Sequence, residues 1–216
     1  VELFQSVMVA LVCVNLAYLA ITRLRTLTRL TAVQGALLAL VPLLFAGPET
    51  GVGHGHAMLL SLAVFAIKGV GFPWLLARTL SRLEVNPVVE PYLGFNLSLV
   101  AGVAGLLFSL WLETRLPFPP GLFPPLLFPA ALTTIFTGLT LVIARQKALT
   151  QVIGYLAAEN GIFLLGTPLS GQGSVWLELS VLLDVFVAVF VMGIALHHIS
   201  KTFESIDVGR FCSLRD

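Results

Sequence analysis

Apolar residues in this chain neither alternate nor recur every third or fourth position. They run on, and short polar stretches break the runs at intervals. About seven runs approach the ~20 residues that a bilayer-crossing helix needs. They are Leu3–Thr22, Leu30–Ala46, Ala57–Ala77, Phe95–Leu112, Leu126–Ala144, Leu149–Gly166 and Val175–His197. A segment apolar around its whole circumference suits a helix in lipid better than one on a water-facing core. The pattern predicts an all-α, polytopic membrane bundle of about seven transmembrane helices.

The breaks between the runs alternate in charge. Arg23, Arg25 and Arg29 follow the first run, Arg78 and Arg82 the third, Arg145 and Lys147 the fifth, and Lys201, Arg210 and Arg215 the seventh. The other breaks, "GPETGVGHGH", "ETRLPFPPGLFPP" and "TPLSGQGSVW", hold one arginine between them. The positive-inside rule makes the basic breaks cytoplasmic, with the N-terminus outside and the C-terminus inside. The first run is long and ends in basic residues rather than at a small-residue cleavage site, so it is expected to be a spanning helix and not a signal peptide. The proline-rich stretch 117–125 cannot be helical throughout, because each ring removes a backbone donor. It divides a four-helix part, 1–116, from a three-helix part, 126–200, followed by a cytoplasmic tail, 201–216.

Composition agrees with the pattern. The 216 residues are 57% hydrophobic and 11% charged, and the mean hydropathy is +0.98. Cys13 and Cys212 suggest no disulfide framework. His54 and His56 have a chelating spacing, but no cysteine or acidic cluster completes a metal site, and a polar outer loop is the plainer reading. His197 and His198 suit a helix C-terminus. No phosphate loop, dinucleotide fingerprint, CxxC pair or serine elbow is present. Nothing in the sequence suggests nucleic-acid binding.

Three charges fall near the middle of predicted spans: Lys68, Glu159 and Asp184. Each costs roughly 2.5–3.5 kcal/mol on insertion scales. At ~1.5 Å per residue they lie ~14, ~15 and ~20 Å from the cytoplasmic helix ends, within about one helical turn of each other. Burial disfavours both charged forms, and an opposite charge nearby restores them. Such a row fits proton movement at mid-membrane. The alternative is an ion pair that pins helices together. Asn160 follows Glu159, points to a different side of the helix, and is expected to bond a neighbouring helix. Gly154 and Gly161 permit close helix approach. Within "AIKGVGFPW", Pro73 frees the Gly69 carbonyl, and a kink or local unwinding beside Lys68 follows.

The stretches "LTQVIGYLAAENGIFLLG", "LLDVFVAVFVMGIALHHISKTFESIDVGRFCSL" and "AVFAIKGVGFPWLLAR" resemble the hydrogenase-4 component E family. These are membrane subunits of formate-hydrogenlyase-type group 4 [NiFe] hydrogenases and related complexes. The C-terminal part is also similar, more distantly, to the K-type subunit of complex I and the C subunit of multisubunit sodium/proton antiporters. Here Glu159 lies five residues after Gly154. That is three positions beyond the K-type acid, ~4.5 Å along the helix and on roughly the same face.

The resemblance implies a multi-pass subunit of a bacterial or archaeal cytoplasmic membrane. It would lie beside antiporter-like subunits, with no cofactor of its own; nickel-iron and iron-sulfur centres would sit on partner subunits. It would not be catalytic by itself. It would contribute Lys68, Glu159 and Asp184 to proton or sodium translocation coupled to electron transfer, supported by Asn160, Pro73 and Gly154. Two other readings stay open: a purely structural clamp between antiporter-like subunits, and a small stand-alone ion transporter.

Overall fold

A computed structural model describes residues 2–46, 54–82, 94–119, 123–145, 147–169 and 193. The described residues form helices and no strand: α1 (Glu2–Ala20), α2 (Leu24–Phe45), α3 (His54–Val64), a π-helical segment (Phe65–Gly71), α4 (Phe72–Arg82), α5 (Phe95–Arg115), α6 (Leu127–Ala144) and α7 (Ala148–Gly166). The π segment joins α3 and α4 into one rod. Six of these helical stretches are long and apolar enough to cross a membrane, the rod counting as one. The chain is a membrane protein. In lipid a backbone has no water to bond, so runs of this composition close their hydrogen bonds within themselves. The seventh expected span and the tail lie outside the described residues, apart from Gly193.

Element boundaries differ from the sequence expectation in one instructive place. Helix α2 begins at Leu24 rather than Leu30, so Arg25 and Arg29 lie on a helix and not in a loop. Both are exposed, and long basic side chains can leave an apolar helix end and reach the interface. Similarly, Arg78 on α4 stacks on Trp74 at 5.2 Å, and Arg115 ends α5 over Trp111 at 5.6 Å. Aromatic rings with a polar neighbour suit a membrane–water boundary.

Two apolar layers fill the bundle. One is built from Tyr18, Leu19, Leu24, Leu27, Phe72 and Leu76, with Leu141 and Ile153. The other holds Met8, Leu11, Leu38, Val64, Leu127 and Leu164. The order in which each helix visits the layers gives its direction. Helices α1, α6 and the rod run one way, and α2 and α7 run the other.

Glycines set the tightest approaches. A Cβ on Gly154 would stand 2.7 Å from the Gly138 carbonyl oxygen, and one on Gly161 would stand 2.7 Å from that of Ala131. Helices α6 and α7 therefore pack backbone to backbone, the usual way small residues hold membrane helices. Entry into α6 is a type II turn: the Leu127 N–H donates to Pro124 O at 3.2 Å, with Leu126 at φ 68°. The rings of Phe118, Phe123 and Phe128 pack together, with centroids 4.7–5.8 Å apart, and seat Phe118 and Phe123 against the start of α6.

Candidate functional site

Between the two apolar layers, five helical elements each place polar side chains in the interior. Asn15 comes from α1, Thr31 and Gln34 from α2, Lys68 from the π segment, Thr134 from α6, and Glu159 and Asn160 from α7; all are buried. The Tyr18 hydroxyl enters the same layer from α1.

At its centre is an ion pair. Lys68 Nζ donates to Glu159 Oε1 at 2.6 Å, and both side chains are only 3% exposed. The same ammonium donates to Asn160 Oδ1 at 3.2 Å and lies 5.6 Å from the centre of the Phe163 ring. Adjacent residues on a helix point about 100° apart, yet Glu159 and Asn160 both reach Lys68. The long lysine stem carries its ammonium into the angle between them. Asn160 also meets a second helix, as expected, donating from Nδ2 to Gln34 Oε1 at 3.0 Å.

The local fold that delivers Lys68 follows from its sequence. Pro73 has no N–H to give the preceding turn, and the helix widens there. The Phe72 N–H donates to Ile67 O, five residues back. Val64, Lys68, Phe72 and Leu76 are all buried at intervals of four. Four residues exceed one α-helical turn by about 40°, so three such steps drift about 120° around an α-helix. The π segment winds more slowly and returns all four to one face. Opposite it stands Gly35, where a Cβ would lie 2.3 Å from the Lys68 carbonyl oxygen. The unwinding beside Lys68 that Pro73 and its neighbouring glycines predict is present as this π segment. The sequence does not single out Gly35.

From Asn160 the hydrogen bonds continue. Gln34 Nε2 donates to Asn15 Oδ1 at 3.0 Å, and Asn15 Nδ2 donates to Thr134 Oγ1 at 2.7 Å. Thr134 Oγ1 in turn donates to the Ala130 carbonyl at 2.6 Å. Tyr18 Oη lies 3.3 Å from Gln34 Oε1 and 3.2 Å from Thr31 Oγ1. These neutral residues were missed in the sequence because a single amide or hydroxyl in an apolar run carries no charge to draw notice. With α2 beginning at Leu24, Gln34 and Thr134 each sit ten residues from the helix end that the charge pattern makes cytoplasmic, ~15 Å deep; counted from the expected start at Leu30, Gln34 would lie at only ~6 Å.

Arg145 is not solvated like a loop cation. It is 1% exposed, donates from Nη2 to Leu19 O at 3.0 Å, and its guanidinium lies 4.5 Å from the Phe95 ring centre. Burial holds this guanidinium below its ordinary pKa. From its place just after α6 it meets the carbonyl end of α1, where a cation is favourable.

Among the expected site residues, Lys68, Glu159 and Asn160 come together. Pro73 lies beside the π segment, and Gly154 sits at the α6–α7 contact. Asp184 lies outside the described residues. As to chemistry, the described residues of the layer offer one acid, one base and several neutral anchors, screened on two sides by apolar packing.

Comparison with known proteins gives relatives but no solved fold. The chain is 30% identical over 200 residues to uncharacterized protein Rv0085 of Mycobacterium tuberculosis, covering 89% of this chain and 87% of that one. It is 25% identical over 160 residues to hydrogenase-4 component E of Escherichia coli, covering 73% of each, a distant homology. The protein of the same name from Shigella flexneri gives the same figures. No family model matches the chain, and no solved structure matches it.

Proposed function

This chain belongs to the same family as Rv0085, and from that premise we propose that it is a non-redox membrane subunit of a group 4 hydrogenase-like or complex I-like assembly. In this reading it takes part in moving protons, or sodium ions, across the bacterial or archaeal cytoplasmic membrane while partner subunits carry out the redox chemistry. The distant homology to hydrogenase-4 component E supports the assembly. The observation that carries the reading is the Lys68–Glu159 pair, 2.6 Å apart and buried at mid-bundle. A buried acid and base in contact give a site whose charge state can change by one proton: a proton arriving at Glu159 removes the carboxylate charge, and Lys68 keeps a hydrogen bond to Asn160. Asp184 is the third member of the proposed row. Antiporter-like subunits are the proposed neighbours that deliver or accept the ion. The nickel-iron and iron-sulfur centres belong to other partner chains.

A second reading is a purely structural clamp. It is favoured by the pairing of Asn15, Gln34, Lys68 and Asn160 with groups on other helices, as polar glue would be paired. Glu159→Gln separates the two. Glutamine keeps the volume and the hydrogen bonding but carries no titrating carboxyl. Ion uptake by proteoliposomes, normalised to assembled complex, is expected to fall at least tenfold while assembly persists. Normal uptake per assembled complex would remove Glu159 as an obligatory carrier; failed assembly with normal uptake in the remainder would favour the clamp.

A further inference from the structure

The bonds through the polar layer all run in one sense, and both ends fix that sense. At one end the Ala130 carbonyl can only accept. Thr134 has a single hydroxyl proton and places it on Ala130 O at 2.6 Å, so toward Asn15 it must accept. Asn15 therefore presents its amide nitrogen to Thr134 and its oxygen to Gln34. Gln34 then presents its nitrogen to Asn15 and its oxygen to Asn160. Asn160 is left presenting its oxygen to Lys68, an ammonium that can only donate. Turning any one amide over would set N–H against N–H or oxygen against oxygen. The ordinary ambiguity of amide orientation is thus removed by the two ends.

A chain with this sense has a consequence for Lys68. Every amide oxygen in it points back toward the ammonium, and each bond polarises the next. Tyr18 lies within reach of the same Gln34 oxygen, on the acceptor side of that amide. Primary amides do not hand on protons as hydroxyls do, since relaying one would require passage through an imidic acid. The chain is accordingly a holder and not a wire.

We propose that Asn15 and Gln34 are positioning residues that hold the Lys68 cation in the mid-membrane layer independently of the charge on Glu159. Neither touches Lys68; they act through Asn160. The geometry stands by itself, and the purpose of a cation held while Glu159 is neutral rests on the translocation reading above.

The test is a mutant cycle on the full chain in its native membrane assembly. Asn15→Leu is combined with Lys68→Met and with Glu159→Gln, and the midpoint of heat-induced loss of assembled protein is read. Asn15→Leu is expected to lower that midpoint at least twice as far when Lys68 is present as in Lys68→Met, and further still in Glu159→Gln, where the cation no longer has a carboxylate as partner. Equal shifts in all three backgrounds would overturn the proposal, because loss of packing or of a local hydrogen bond does not depend on a residue two amides away. If Asn15→Leu fails to accumulate, Thr134→Val removes the last link, and Thr134→Ser, which keeps the hydroxyl, should restore the wild-type shift. Transport is read separately. Normal ion uptake in Glu159→Gln would remove Glu159 as an obligatory carrier and leave this cycle standing, whereas equal shifts would sink the positioning role and leave translocation untouched.

Discussion

At the scale of single residues, the bundle is most exposed at Lys68. Removing one partner of a buried ion pair typically costs ~3–5 kcal/mol, whereas replacing both by apolar groups of similar size is often neutral. Lys68→Met should therefore destabilise strongly, and Lys68→Met with Glu159→Met should recover most of the loss. The check is the unfolding midpoint of detergent-solubilised protein; a double variant as unstable as the single one would show that the pair does not act as a unit. Glu159→Gln should cost less than Lys68→Met, because Asn160 still accepts from the ammonium at 3.2 Å. The charged members of this site were legible in the sequence, since a charge inside an apolar run is conspicuous and its depth can be counted. Asn15, Gln34 and Thr134 were not, because one neutral polar residue in a long run is common and its partner lies on another helix. Arg145 reads as an ordinary loop cation after the fifth run, and only the packing of α1 against α6 buries it on the Leu19 carbonyl.

At the scale of elements, the informative residues are those with no side chain. Gly35 faces the Lys68 carbonyl, and a Cβ there would lie 2.3 Å from backbone oxygen, which cannot turn aside as a side-chain tip can. Gly35→Ala should separate α2 from the π segment, costing ~1–3 kcal/mol as other overpacked sites do, and should loosen Lys68 as well. Gly105→Ala is the control, since its Cβ would meet the Phe136 side chain at an ordinary 3.4 Å. Cross-linking yield between cysteines placed on α2 and α4 reads the separation; equal yields in the two variants would contradict it. The spans themselves were legible because bilayer thickness fixes their length. The early start of α2 was not, since basic residues read equally well as a loop or as a helix end at the interface. The π segment was half legible. Pro73 announced a break in the ladder, but the burial of Val64, Lys68, Phe72 and Leu76 at intervals of four is what requires the slower winding.

At the scale of the whole molecule, the described residues set apolar packing on both sides of the polar layer. Leu19, Leu27 and Leu76 belong to the apolar layer on one side, and Leu11, Leu38 and Leu164 to that on the other; all are at most 2% exposed. Ions reaching Glu159 therefore need a route other than through these two layers: the segment that carries Asp184 in the proposed row, water or side chains that enter sideways from a neighbouring subunit, or a rearrangement of the bundle. The purified chain reconstituted alone should therefore hold an imposed pH gradient as well as empty liposomes do. Leu27→Asn with Leu38→Asn, which sets an amide into each layer, should introduce a measurable leak, and adding Glu159→Gln should abolish it. A pH-sensitive dye trapped in the liposomes follows all three. Rapid collapse of the gradient with the unaltered chain would favour a self-standing transporter, because conduction would then need no partner. A tight bilayer in the first case and a Glu159-dependent leak in the second would place the barrier in the apolar layers and the carrier between them, the division of labour expected of a subunit that conducts only when assembled.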